Sequence, residues 1–154
     1  MVLLEGEAGI GKTRLAIEVA RRVRGAFPDG IVWIDFSPVD DPALLLPEVA
    51  RALGVMSTPA DQLLEVIGRA LARRQALLVL DNCEHLVEEC ADFFEMLLSR
   101  PGQARVLATT REYFDVDGER VIRLPPLDVE GESSPAVQLF IERALAADST
   151  FSPD

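Results

Sequence analysis

The chain has 154 residues, 49% of them hydrophobic, which suits one domain with a packed core rather than a disordered segment. Its 15 Lys and Arg stand against 26 Asp and Glu, a formal charge of -11, and such a surface repels nucleic-acid phosphates and speaks against direct contact with DNA or RNA. A phosphate ligand must therefore be held by a local site that overcomes the overall field.

The start, MVLLEGEAG, has neither a basic segment nor a long apolar run, so it is not a secretory signal. No stretch approaches the ~20 apolar residues of a membrane helix, and a cytoplasmic location without membrane contact is expected. Val2 to Glu5 is predicted as a short buried strand that runs into a glycine-rich turn. Lys12 to Arg24 is predicted as a helix with the stripe Leu15, Ala16, Val19, Ala20 and Val23, its basic residues gathered in the last turn. Gly30 to Phe36 is a second strand. Pro42 to Leu53 follows as a helix with proline near its start and Gly54 as its stop. Ala60 to Arg73 is another helix, with Leu63, Ile67, Ala70 and Leu71 on one face.

Ala76 to Asp81, ALLVLD, is a continuous apolar strand ending in an acid. Unalternating runs of this kind suit strands buried on both faces, hence a parallel sheet covered by helices. Glu84 to Ser99 is predicted as a helix with a stripe of Leu86, Val87, Cys90, Phe93, Phe94, Leu97 and Leu98. Cys83 and Cys90 lie seven apart on this apparent helix and form no metal pattern; they suit small buried hydrophobes in a reducing compartment. Ala104 to Thr109 is a fourth strand and Arg120 to Leu124 a weaker fifth. Leu124 to Ser134, rich in proline, glycine and acid, is a linker candidate. Pro135 to Ala147 is the last helix, capped by Ser134, and the tail 148–154 is expected to fray. No internal repeat is seen. Alternating strands and helices give an α/β class, a three-layer sandwich around a mostly parallel five-stranded sheet. The domain division expected is 1–124 for the core, 125–134 for the linker and 135–154 for the beginning of a further helical segment.

Residues 6 to 13, GEAGIGKT, satisfy G-x-x-x-x-G-K-[ST] in full. Gly6, Gly9 and Gly11 let the backbone turn tightly and direct N–H groups inward, because no Cβ blocks the phosphates. The helix opening near Lys12 aims the positive end of its dipole at the same point. Lys12 reaches the β and γ phosphates, and the Thr13 hydroxyl is a ligand for Mg2+. The candidate cradle is thus Gly6, Glu7, Ala8, Gly9, Ile10, Gly11, Lys12 and Thr13, with Arg14 next to it. A plain glycine turn joining strand to helix is the alternative.

Such a loop needs a carboxylate to hold the magnesium, and a buried strand ending in Asp81 delivers one at the edge of the sheet. The competing role for Asp81 is a helix cap. Many ATPases with this loop place a second acid next, to polarise water. Here that position is Asn82, and an amide cannot be a general base. Glu84 is a substitute, its plainer role being a first-turn helix acid favoured by the dipole. His85 reads as a surface helix residue. Arg111, just beyond the strand ARVLAT, either reports the γ phosphate or is a solvated arginine at a strand end.

Taken together, GEAGIGKTRLAIEVA, DGIVWIDFSPVDDPALLLPEVARALGV, ALLVLDNCEHLVEECADFFEMLLS and RVLATTRE resemble the nucleotide-binding domain of STAND ATPases, the NB-ARC-like signalling switches. Within these the chain is most similar to the ATPase domain of bacterial LuxR-type and SARP-type multidomain transcriptional regulators. The resemblance implies ATP/ADP and Mg2+ as ligands. It assigns phosphate binding to Gly6 through Thr13, the magnesium acid to Asp81 and a γ-phosphate sensor to Arg111. It also implies that ARVLAT lies between the loop strand and the Asp81 strand. Asn82 departs from the paired acids common among STAND proteins, which implies a slow switch rather than a fast hydrolase. The implied partners are other domains of a parent regulator, with nucleotide-dependent self-association, and the chain is expected to be the core of a longer protein. Three rivals remain: a motor-type AAA+ ATPase, which predicts paired acids and an amide sensor; a small kinase, which predicts an acceptor pocket and an arginine-bearing lid; and a scaffold that binds partners without turnover.

Overall fold

The computed structural model describes the chain apart from residues 56–58, 101, 129, 132–133, 149–150 and 153–154. It forms two compact units, Met1–Leu124 and Pro125–Asp154. In the first, the strands are β1 (Val2–Glu5), β2 (Ile31–Asp35), β3 (Leu77–Asp81), β4 (Arg105–Thr110) and β5 (Arg120–Arg123). Its α-helices are α1 (Lys12–Val23), α2 (Leu45–Ala52), α3 (Leu63–Ala72) and α4 (Val87–Leu98). The sheet order is β2-β3-β4-β1-β5, so β4 does separate the loop strand from the Asp81 strand. Every strand pairing among the described residues is parallel, which bears out the expected parallel five-stranded sheet.

Side-chain alternation explains the layers. Leu78 and Leu80 of β3, Val106 and Ala108 of β4 and Leu3 of β1 face a core closed by α2, α3 and α4, with Phe93, Phe94 and Ile67 among its fully buried members. Leu77, Val79, Leu107 and Leu4 face the opposite layer, closed by Ala16 and Ala20 of α1. β3 is therefore buried at all five positions, the physical reason its sequence shows no alternation.

Several boundaries differ from expectation. The segments 42–53 and 60–73 each open with a turn of 3-10 helix, Pro42–Leu44 and Ala60–Gln62, before the α-helix begins. A 3-10 turn keeps apolar residues three apart, so periodicity alone extends the helix into it. In α3 the buried face is Leu63, Ile67, Gly68 and Leu71, with Ala70 at its margin. Leu15, placed in the α1 stripe, is 37% exposed, and two alanines bring that helix onto the sheet instead. The helix predicted from Glu84 begins only at Val87, so Cys83 and Glu84 lie in a turn before it. Cys83 and Cys90 are nonetheless both buried free thiols, and burial together with the Cys90 neighbour pushes the Cys83 thiol well up.

The second unit contains α5 (Pro135–Ala147). Ser134 caps it, the Oγ accepting from Val137 N at 3.4 Å. Phe140 and Phe151 meet edge to face, with centroids 6.0 Å apart. The expected linker 125–134 and tail 148–154 fall in part outside the described residues. Among the described residues no helix is long and apolar enough to cross a membrane.

Candidate functional site

The loop between β1 and α1 is built from its backbone. Gly9 and Gly11 hold φ of 77° and 100°, where a side chain is strained. A Cβ on Gly6 would come within 3.1 Å of Ile10 Cγ2, so the first glycine allows the turn to close on itself. Gly6 N donates to Thr110 O at 3.3 Å, which pins the loop to the end of β4. Gly11 is the N-cap of α1 and offers no side-chain acceptor to the first turn of that helix. Those amides remain available to an anion, reinforced by the dipole.

Lys12 is buried, an unusual place for a lysine. Its ammonium turns back along the loop and donates to Gly6 O at 2.7 Å and Glu7 O at 3.1 Å. This fixes the charge against the loop rather than in solvent. Glu7, Ala8, Gly9, Thr13 and Arg14 are exposed and Ile10 and Gly6 are half-buried, so the cradle opens outward.

Asp81 closes β3 and is 3% exposed. Thr13 Oγ1 donates to its Oδ1 at 2.9 Å across 68 residues of sequence. Thr109, fully buried at the end of β4, donates to the same oxygen at 2.5 Å and itself accepts from Asn82 N at 3.0 Å. Asp81 is therefore not a helix cap; its acceptors are taken by side chains from α1 and β4. The Thr13 and Asp81 oxygens suit magnesium. A hydroxyl and a carboxylate are hard oxygen donors of the class Mg2+ takes; Thr13 and Asp81 would hold such an ion, which would supply positive charge beside a bound phosphate.

Arg111 follows β4 and its side chain is 56% exposed, with Nε in an ion pair 3.0 Å from Glu84 Oε1. Glu84 is thus neither a first-turn helix acid nor a free carboxylate. His85 Nε2 lies 2.8 Å from Val39 O, which ties the turn before α4 to the segment after β2.

With this geometry in place, residues 1–115 match the family described as the AAA domain. The chain belongs to that family. Over 144 residues this AAA domain is 36% identical to a protein of Mycobacterium tuberculosis named as an HTH-type transcriptional regulator; the match covers 94% of the chain but 16% of the regulator. Its fold is similar to that of Cdc6p from Pyrobaculum aerophilum, with TM-score 0.71 and 20% identity over 94% of the chain and 43% of Cdc6p. It is also similar to a STAND protein with a tetratricopeptide repeat sensor from Pyrococcus horikoshii, with TM-score 0.57 and 21% identity over 99% of the chain and 24% of that protein.

The AAA domain thus brings Gly6, Lys12, Thr13 and Asp81 together at the C-terminal edge of β1 and β3, while Arg111 stands paired with Glu84. Two residues of the same edge were missed from sequence. Thr109 is buried against Asp81, and Asp35, at the end of β2, lies opposite Asp81 in register. A signal for Asp35 existed: IVWID ends in an acid just as LLVLD does.

Proposed function

We propose that this AAA domain is an ATP/ADP-binding switch of a multidomain transcriptional regulator of the STAND type, with slow magnesium-dependent hydrolysis. The observation that carries the reading is the meeting of Thr13 and Asp81 at 2.9 Å beside an uncapped helix start and a buried lysine. On binding, Lys12 exchanges the Gly6 and Glu7 carbonyls for phosphate oxygens, and the first-turn amides of α1 donate to the same group. Thr13 and Asp81 hold the ion, and bound Mg2+ supplies positive charge where the phosphates carry their negative charge.

Arg111 is the γ-phosphate sensor in this reading. Its exposed guanidinium has one alternative partner, Glu84, so triphosphate draws it off the carboxylate and diphosphate returns it. Adenine is favoured over guanine because the chain's single lysine is Lys12, which leaves no N/T-K-x-D guanine motif.

The regulator context rests on the mycobacterial relative and on the chain spanning 16% of its length. The partners proposed are the other domains of such a protein, with nucleotide-dependent self-association and a cytoplasmic setting. Residues 125–134 serve as linker and 135–154 begin the next segment. Direct nucleic-acid contact is disfavoured by the charge of -11.

The test is the ratio of ATP to ADP affinity, measured with Mg2+ present. Arg111→Ala is expected to lower the preference for ATP about tenfold, the effect of losing one exposed charge-assisted hydrogen bond. An unchanged ratio returns Arg111 to a surface ion pair.

A further inference from the structure

The acid absent after Asp81 has a counterpart on the next strand. β2 ends at Asp35, which pairs with Asp81 in the parallel register, and Phe36 N donates to Asp81 O at 2.9 Å, so the two strand ends are fixed to each other. Between them stands Asn82, held at φ 63°, a left-handed conformation that few residues other than glycine adopt. That backbone turn directs the amide sideways. Nδ2 donates to Asp35 Oδ1 at 2.9 Å and lies 3.4 Å from Asp81 Oδ2. One amide thus bridges the magnesium acid and an acid from the neighbouring strand.

We propose that Asp35 is the carboxylate that orients and deprotonates the attacking water in ATP hydrolysis, with Asn82 as the positioning residue that holds it beside Asp81. The inference rests on the nucleotide-binding reading above. Asp35 is exposed and so open to water, and its acceptors are nearly all assigned. Oδ1 takes Ser37 N and Asn82 Nδ2, and Oδ2 takes Ser37 Oγ. A carboxylate offers about four lone-pair sites, which leaves one on Oδ2 for a water proton. As the water oxygen bonds to the γ phosphorus, the bond from phosphorus to the bridging oxygen breaks and its electron pair leaves with ADP. The water proton passes to Asp35 Oδ2 and from there to solvent.

The test measures ATP affinity and turnover on the same protein with Mg2+. Asp35→Asn keeps shape and hydrogen-bonding capacity on one oxygen. It is expected to bind ATP within about threefold of wild type and to hydrolyse it about 100-fold more slowly, the usual contribution of a general base. Asn82→Ala keeps the carboxylate but releases it, and is expected to lose turnover by about tenfold at similar affinity. Thermal melting of both variants near the wild-type temperature assigns the loss to chemistry. Turnover of Asp35→Asn within threefold of wild type overturns the proposal. Wild type that binds ATP without turning it over overturns it too, while leaving the binding site standing. Wild type that fails to bind ATP removes the nucleotide reading itself.

Discussion

α1 and α5 begin in opposite ways. At α5, Ser134 sits in extended conformation, its hydroxyl accepts from Val137 N and Pro135 takes the first helical position. At α1 the cap is Gly11 in a left-handed conformation, which offers no side-chain acceptor, and the first residue is a lysine; neither helix carries an acid in its first turn. Each feature that stabilises the start of α5 is reversed at α1, where even the charge opposes the dipole. A chain that needed only a stable helix would not be built this way. The α1 start keeps its donors free and its charge positive, which is unfavourable alone and favourable once an anion arrives.

That contrast can be broken from either side. The largest effect is expected at Lys12, because among the described residues it alone supplies a buried cation. Lys12→Ala should weaken ATP binding about 100-fold, near 2.7 kcal/mol, while the melting temperature stays close to wild type. Fluorescence titration with a labelled ATP checks this. Gly11→Ala comes next. A Cβ there meets nothing within 4 Å, so the whole penalty is backbone strain at φ 100°. A cost of about 2 kcal/mol is expected, read as a lower melting temperature or as weaker ATP binding where the loop relaxes instead. The smallest effect belongs to the conventional cap. Ser134→Ala should cost about 1 kcal/mol of helix stability by circular dichroism and leave ATP affinity unchanged. Equal effects of Gly11→Ala and Ser134→Ala on ATP binding would erase the distinction between the two helix starts.

What could be read from the sequence was local. GEAGIGKT lies within eight consecutive residues, and LLVLD carries its burial in its own composition, so the loop, β3 and Asp81 were all legible. The helix starts at Leu45, Leu63 and Val87 were not, because turns of 3-10 helix and the turn before α4 share the apolar spacing of a helix. Partnerships across strands were out of reach for a different reason. Asn82 meets Asp35 across 47 residues and Thr109 meets Asp81 across 28, and only the parallel register brings them together. Arg111 was visible as a strand-end cation, but its partner Glu84 was hidden by the expected helix that would have turned it to solvent.

The most direct measurement is a calorimetric titration of the 154-residue chain with ATP in the presence of Mg2+. Saturable binding at one site per chain, weakened when the magnesium is chelated, is the predicted result. Heats no larger than dilution, or an affinity indifferent to magnesium, would contradict a cradle formed by the loop, Thr13 and Asp81.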